Sequence, residues 1–259
     1  MYSVQRQSLI LELLEKEGEV DVNKLAERLS SSRETIRRDL KELGGSGLLQ
    51  RTHGGAVPIE KKYSDGYEYP LLARGLQKYE EKQKICQATA ALLEDGDTIF
   101  LDNSSTTMNL LKYIPKDIKI TVITNSIQVM LEAGRINNEN IVVISLGGIF
   151  SPKNYSVIGM LSNRYAQGFY PDKAIMSCRG VDEKSGMTDA SIHEIEVKRN
   201  MIDHSKQFIL MADYSKFGLT GAICIGSLAE IDVIVTDSKV DREKLNMFKD
   251  LKTRIIITD

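Results

Sequence analysis

The N-terminal segment sets short apolar stripes at a helical period between polar interruptions. Leu9, Ile10, Leu13 and Leu14 share one face of a segment that stops at Gly18, which predicts a first amphipathic helix of about three turns. Asp21 can cap a second helix whose apolar face is Val22, Leu25, Ala26 and Leu29. After a run of serines, Ser31 or Ser32 can cap a third helix, with Ile36, Leu40 and Leu43 on its buried stripe. The next stretch, GLLQRTHGGAVP, reads as a strand, a Gly-Gly turn and a second strand beginning near Ala56.

From Ile59 to about Glu81 the pattern lapses into a polar, tyrosine-rich stretch with no sustained period until a helix begins after Arg74, which predicts a linker that is partly helical. Its tyrosines suit either docking contacts or scattered surface packing. Ile85, Ala88, Leu92 and Leu93, preceded by Lys78, Lys82 and Lys84, then open a second domain with an amphipathic helix. Seven strand-like runs follow, TIFLD (98–102), KITVIT (119–124), NIVVIS (140–145), KAIMS (173–177), QFILMAD (207–213), DVIVTD (232–237) and RIIIT (254–258), alternating with helical segments. Such alternation predicts an α/β domain built on a largely parallel sheet. The expected organisation is a winged helix-turn-helix over 1–58, a linker over 59–81 and the α/β domain over 82–259.

Composition narrows the partners. The 259 residues are 42% hydrophobic, ample for two cores, and their net charge of −2 means that any nucleic-acid contact must come from a local patch. Cys86, Cys178 and Cys224 are widely spaced and odd in number, so neither a disulfide framework nor a zinc site is indicated, and buried thiols are expected. No metal or resident cofactor is called for. No segment reaches the ~18 apolar residues of a membrane span and the N-terminus lacks a signal-peptide core, so a soluble, cytoplasmic protein is expected.

At 100° per residue, Arg37, Arg38 and Lys41 project away from the Ile36, Leu40 and Leu43 stripe, and Ser32, Arg33 and Thr35 occupy the third helix's first turn. A recognition helix needs this arrangement, since its first residues reach base edges and its arginines fork onto guanine or grip phosphate. A solvated charged face would look the same, and the nearby Glu34, Asp39 and Glu42 keep that reading open. The following hairpin favours recognition: it forms a wing with Arg51, Thr52 and His53 at its tip, placed to touch phosphate or a minor groove.

In a parallel sheet, ligands bind beyond the carboxyl ends of the strands. The first run ends in Asp102, Asn103, Ser104, Ser105, Thr106 and Thr107 before Met108, Leu110 and Leu111 resume helical spacing. Hydroxyl residues at a strand-to-helix turn supply backbone N–H groups, side-chain donors and a positive helix terminus, which suit a phosphate; an ordinary helix cap would also use them. There is no Walker lysine and no GxGxxG, which disfavours a nucleoside triphosphate or dinucleotide. Asn125 after the second run and Gly147 with Gly148 after the third are each weak signals, but they converge on one sheet edge. RGVDEKSGMTD (179–189) reads as a polar loop, followed by a helix from about Ser191 to His204. Lys216 suits either a phosphate counter-charge or a solvated loop lysine.

The strings VDVNKLAERLSSSRETIRRDLKEL and LLQRTHGGA resemble the helix-turn-helix and wing of the DeoR family of bacterial regulators, with the helix-turn-helix proper over about Val20 to Asp39. DTIFLDNSSTT, TVITNS, LGG, GVDEKSGMT and ADYSKFG resemble the sensor domain of the same family, so the likeness spans nearly the whole chain. The resemblance implies a fold similar to ribose-5-phosphate isomerase, a homo-oligomer on double-stranded operator DNA, and a sugar-phosphate effector. By position it assigns Asp102 through Thr107, Asn125, Gly147, Gly148, Lys198 and Lys216 to the effector site. The chain departs from the family at DNSSTT, where DSGTT is usual, and at the glycine-rich run Gly44, Gly45, Ser46, Gly47, which is expected to loosen the wing relative to its helix. Two other readings remain. One is a sugar-phosphate isomerase carrying a DNA-binding module, against which Arg179 stands where such isomerases, with a DGAD-like loop, place a carboxylate. The other is a nucleic-acid scaffold with no small-molecule input.

Overall fold

A computed structural model describes residues 2–59 and 69–259. The chain divides into two compact units, Met1–Glu80 and Glu81–Asp259. Residues 60–68 of the expected linker lie outside the described residues.

In the first unit, α1 (Ser3–Glu17) ends where Gly18 adopts φ 78° and returns its N–H to the Leu14 carbonyl at 3.0 Å, a left-handed turn that glycine makes without steric cost. β1 (Val20–Asp21) leads into α2 (Val22–Arg28), capped by the Asp21 carboxylate, which accepts the N–H groups of Asn23 and Lys24. α3 (Arg33–Gly45) is capped by Ser32, whose Oγ accepts the Thr35 N–H at 3.1 Å. β2 (Gln50–Arg51) and β3 (Gly55–Val57) complete an antiparallel sheet ordered β1-β3-β2. The wing therefore has a third strand, β1, too short to leave a pattern in the sequence. Gly55 allows this pairing: a Cβ there would lie 1.8 Å from the Val20 carbonyl oxygen. Ile10, Leu25, Ile36, Leu40 and Leu43 form the core, joined by Ala73 of α4 (Leu71–Leu76), which begins before Arg74 rather than after it.

In the second unit, α5 (Tyr79–Ala90) precedes β4 (Thr98–Leu101), a 3₁₀ segment Thr107–Tyr113, β5 (Ile120–Thr124), α6 (Ile127–Ile136) and β6 (Ile141–Ser145). Then come β7 (Ile149–Ser151), β8 (Ser156–Ile158), α7 (Met160–Ala166), β9 (Lys173–Met176), β10 (Gly180–Asp182), β11 (Gly186–Asp189) and α8 (Ile192–Asp203). β12 (Gln207–Met211), β13 (Ile223–Gly226), β14 (Val233–Asp237) and β15 (Arg254–Thr258) close the chain. All seven predicted runs form one sheet, ordered β15-β14-β12-β9-β4-β5-β6, and every neighbouring pair in it is parallel. Alternate residues feed opposite cores. Phe100, Ile123, Met176 and Leu210 face one, whereas Ile99, Leu101, Val122, Ile175 and Ile209 face the other. Burial on both faces is why these runs read as nearly unbroken apolar stretches.

The structure corrects three further sequence readings. RGVDEKSGMTD is not a loop but the hairpin β10–β11, which pairs onward with β13. Its polar composition hid the alternation, although Val181 and Met187 are directly opposed and fully buried. The segment after the Asp102 loop is 3₁₀ rather than α-helical, so it offers little of the dipole expected at a helix start. Cys86 and Cys178 are buried as expected, but Cys224 is exposed, because the alternation of β13 turns Ile225 inward and its neighbour out.

Candidate functional site

On the first unit, α3 separates its charges cleanly. Ile36, Asp39, Leu40 and Leu43 are buried, while Ser32, Arg33, Arg37, Arg38 and Lys41 are exposed and Thr35 is half-buried in the first turn. The acidic residues that kept a plain charged face open are largely engaged inside the unit. Asp39 accepts Arg6 Nε at 2.5 Å and Arg6 Nη2 at 3.2 Å, and Glu42 accepts Gln7 Nε2 at 2.6 Å. Glu34 reaches Arg37 only at 3.9 Å, with both side chains mostly in solvent, a pairing of little strength. The exposed side of α3 therefore presents cations without matched buried acids. Arg51, Thr52 and His53 are exposed at the turn between β2 and β3. The glycine run does not free the wing. Leu48 and Leu49 are buried in the core, and a Cβ on Gly44 would lie 3.3 Å from Arg51 Cγ, so helix and wing pack directly together.

On the second unit, the chain runs from β4 outward through β5 to β6 and then returns to place β9 on the other side of β4. The connection changes direction between β4 and β9, and the crevice at their carboxyl ends is where open α/β sheets hold ligands. Asp102 follows β4 and Ser177 follows β9; the Ser177 N–H donates to Asp102 Oδ2 at 3.2 Å across this point. Lys198 of α8 lies beneath, giving hydrogen bonds to the Ser177 carbonyl at 2.9 Å and Asp189 Oδ2 at 2.5 Å, with Asp102 Oδ2 at 3.2 Å. Burial alone would drive the proton off this ammonium, but Asp189 and Asp102 outweigh that and raise its pKa above the ordinary lysine value. All of its donors are spent inside the protein, so Lys198 braces the site from below.

The loop itself splits into bracing and facing residues. Ser104 Oγ accepts the Thr107 N–H and hydrogen-bonds Thr107 Oγ1, which donates to Asp102 Oδ1 at 2.6 Å; the Ser104 N–H also reaches Asp102 Oδ1. Asp102, Ser104 and Thr107 thus lock the turn. Asn103 donates Nδ2 to Glu194 Oε1 at 2.7 Å, and Ser156 Oγ donates to the same oxygen at 2.8 Å. Val157, next to Ser156, gives its N–H to the Asn125 carbonyl and accepts Asn125 Nδ2 at 3.4 Å. Asn103 Oδ1 and Asn125 Oδ1 are left buried with no hydrogen-bond donor. Buried acceptors of this kind are uncommon and call for a partner.

Ser105 accepts Lys82 Nζ at 3.2 Å, and Lys82, on α5, is 3% exposed. Burial raises the pKa of the Asp213 carboxyl, yet Lys216, Lys82 and the hydrogen bonds from Ser215 hold it below the usual range. Both lysines therefore sit within electrostatic reach of the carboxyl end of β12. Thr106 is buried in the loop, its carbonyl accepting the Cys86 thiol. Burial pushes the Cys86 and Cys178 thiols up to about 12, so neither is a nucleophile at neutral pH. Gly147 and Gly148 adopt φ 65° and 122° and turn the chain from β6 into β7; a Cβ on Gly148 would meet Ser162 Oγ at 2.4 Å. Both glycines thus serve the turn, and Gly148 the close approach to α7. Sequence reasoning missed Lys82, Glu194 and Ser156. Lys82 carried a readable signal, for it stands in register with the buried Ile85, Cys86 and Thr89 on one face of α5.

Residues 6–62 match the DeoR-like helix-turn-helix domain and residues 77–238 the DeoR C terminal sensor domain. The chain is 37% identical to the uncharacterized HTH-type transcriptional regulator YulB of Bacillus subtilis, over 98% of this chain and 96% of that one. It is 34% identical to the L-fucose operon activator of Haemophilus influenzae (90% and 91% covered) and 30% identical to the glycerol-3-phosphate regulon repressor of Escherichia coli (92% of each). Among solved structures, ribose 5-phosphate isomerase A of Methanocaldococcus jannaschii aligns with 54% of this chain and 55% of its own at 15% identity and a TM-score of 0.40, too slight a likeness to bear on function. With family matches over both units and relatives aligned almost end to end, the chain belongs to the DeoR family of helix-turn-helix transcriptional regulators.

Proposed function

We propose that this regulator reads operator DNA with the exposed side of α3 and the wing, and that a phosphorylated sugar held at the β4–β9 crevice controls that binding. The observation that carries the effector reading is the pairing of chemistries at one sheet edge. Lys82, Lys216, Ser105 and the loop amides suit a phosphate, and the two unsatisfied amide oxygens of Asn103 and Asn125 suit donation from sugar hydroxyls. Asp102, Ser104, Thr107 and Lys198 hold the loop in place for that ligand. The regulated genes on this reading form a carbohydrate operon and the action is repression, in a cytoplasmic homo-oligomer. Relatives bear the names of a repressor and of an activator, so the sign does not follow from the fold alone. An isomerase is disfavoured: the Asp182 carboxylate is engaged in capping its turn through the Lys184 and Ser185 N–H groups, which hold its pKa down.

A thermal-shift panel of phosphorylated and plain sugars tests the effector. A true ligand at 100 times its Kd adds ~2.7 kcal/mol of stability. Lys82→Ala should weaken phosphorylated ligands at least ~10-fold, about 1.4 kcal/mol, and leave plain sugars unaffected. A broad panel with no shift overturns the proposal.

For the DNA side, genomic fragments captured by the protein supply the probe. Arg37→Ala and Arg38→Ala should each cost ~1–3 kcal/mol where the guanidinium forks onto a base, or flatten the salt dependence by about one unit where it grips phosphate. Unchanged affinity and salt slope in both variants, measured by fluorescence anisotropy, would sink the assignment of α3.

A further inference from the structure

The β6 edge of the sheet is apolar and, among the described residues, pairs with no further strand. Asn163 of α7 hydrogen-bonds Glu196, and Gln167 hydrogen-bonds Asn200, so the side of α7 bearing Asn163 and Gln167 packs on α8. Ser162 and Ala166 face inward and are fully buried. Leu161 and Tyr165, one residue back at 100° per residue, consequently lie on the flank turned away from α8, toward the end strand β6. Ile144 of β6 packs on the same core as Ala166, and the period of two puts Val142 on that face as well. Ile149 adjoins the start of α7, its Cδ1 3.7 Å from where a Cβ on Gly159 would be, next to Met160. Val142, Ile149, Met160, Leu161 and Tyr165 are each at least 52% exposed.

We propose that this edge and flank join two copies of the chain across a two-fold axis. Size and backbone favour a second copy over other occupants. At roughly 150–250 Å² for the aromatic Tyr165 and somewhat less for each of the four aliphatic side chains, the five residues expose on the order of 500–600 Å². That is at the upper limit of patches on typical monomers and most of the ~800 Å² that each partner contributes to a standard interface. None of the five carries a charge, although the exposed Arg164 stands among them on α7, one turn from Met160 and Leu161. The strand Ile141–Ser145 pairs with β5 in unbroken register and contains no lysine, proline or bulge, the devices that protect an edge left permanently in water. A symmetry-related β6 would satisfy both backbone edges at once, since a two-fold contact is made by the same surface on both copies.

The proposal supplies the pair of recognition helices that the operator reading calls for, and rests on that reading only for its purpose. Its test uses no DNA, so the two fail separately. Analytical ultracentrifugation of the full chain should show a dimer or a multiple of one at micromolar concentration. Val142→Lys on the strand and Leu161→Asp on the helix should each raise the dissociation constant at least 100-fold. Leu219→Asp, at an exposed apolar residue outside the patch, should leave it unchanged. Both patch positions are exposed, and circular dichroism melts confirm that the variants fold. Weakening by either variant beyond the Leu219 control supports the interface. A monomer at every concentration, or an association that neither variant weakens, overturns it.

Discussion

Lys198→Met is expected to lower the melting temperature of the second unit by on the order of 10 °C and to abolish binding of the proposed effector. The ammonium stands between the buried carboxylates of Asp102 and Asp189 and donates to the Ser177 carbonyl. Removing it strands two negative charges away from water, and breaking a buried pair in this way costs about 3–5 kcal/mol. In a unit of this size each kcal/mol corresponds to roughly 2–4 °C. The same loss lets the Asp102 carboxylate, which ties down Ser104 and Thr107, leave its position. Because the folded-state pKa of Lys198 is raised, its contribution is complete throughout the neutral range and disappears only as strongly alkaline pH passes through that value. Asp189→Asn added to Lys198→Met removes one stranded charge and should recover part of the loss. Lys206→Ala, which opens a surface pair with Asp172, should barely move the transition. A calorimetric shift below about 2 °C for Lys198→Met would contradict the bracing role.

Asp39→Ala should unfold a large part of the first unit and eliminate DNA binding without touching any residue proposed to contact DNA. Asp39 is 1% exposed and receives two hydrogen bonds from Arg6 and a third from Gln7 at 3.3 Å, joining α1 to α3. The alanine leaves a nearly buried guanidinium without its carboxylate, again about 3–5 kcal/mol. At ~0.05–0.15 kcal/mol per residue, a unit of some eighty residues has a total stability of about 4–12 kcal/mol, so this single change removes a large fraction of it. Asp39→Asn keeps the shape and one acceptor and should cost less. Far-UV circular dichroism and anisotropy on the captured operator follow the two consequences. Native helix content and a melting temperature within about 2 °C of the parent would refute the argument.

The sequence made legible whatever obeys a local period. The Asp21 and Ser32 caps, the Gly18 stop and the seven apolar strands each follow from spacing within a few residues, and each stands where that spacing put it. Features depending on distant partners were harder to read. The hairpin β10–β11 is stabilised by facing buried residues at Val181 and Met187 rather than by a run of them. Lys198 was assigned to the ligand by position, and only its two carboxylate neighbours, one from β11 and one after β4, show that its charge is already matched. Glu194 gathers Asn103 and Ser156 from two other elements, which no linear motif encodes. Asp39 looked like an argument against DNA binding because sequence shows the charge but not Arg6 beside it.

On α3 the residues that hold the fold and those proposed to read DNA are different residues of the same helix. Ile36, Asp39, Leu40 and Leu43 are turned inward, whereas Arg33, Arg37, Arg38 and Lys41 lie outside the packing. Substitutions on the outer side therefore meet little resistance from stability, so operator preference can drift among descendants of this chain while the reader stays folded. The close approach of Arg51 to Gly44 adds a restriction to that freedom: a Cβ at position 44 would crowd Arg51 Cγ at 3.3 Å, so this glycine is harder to exchange than the residues on the outer side of the helix.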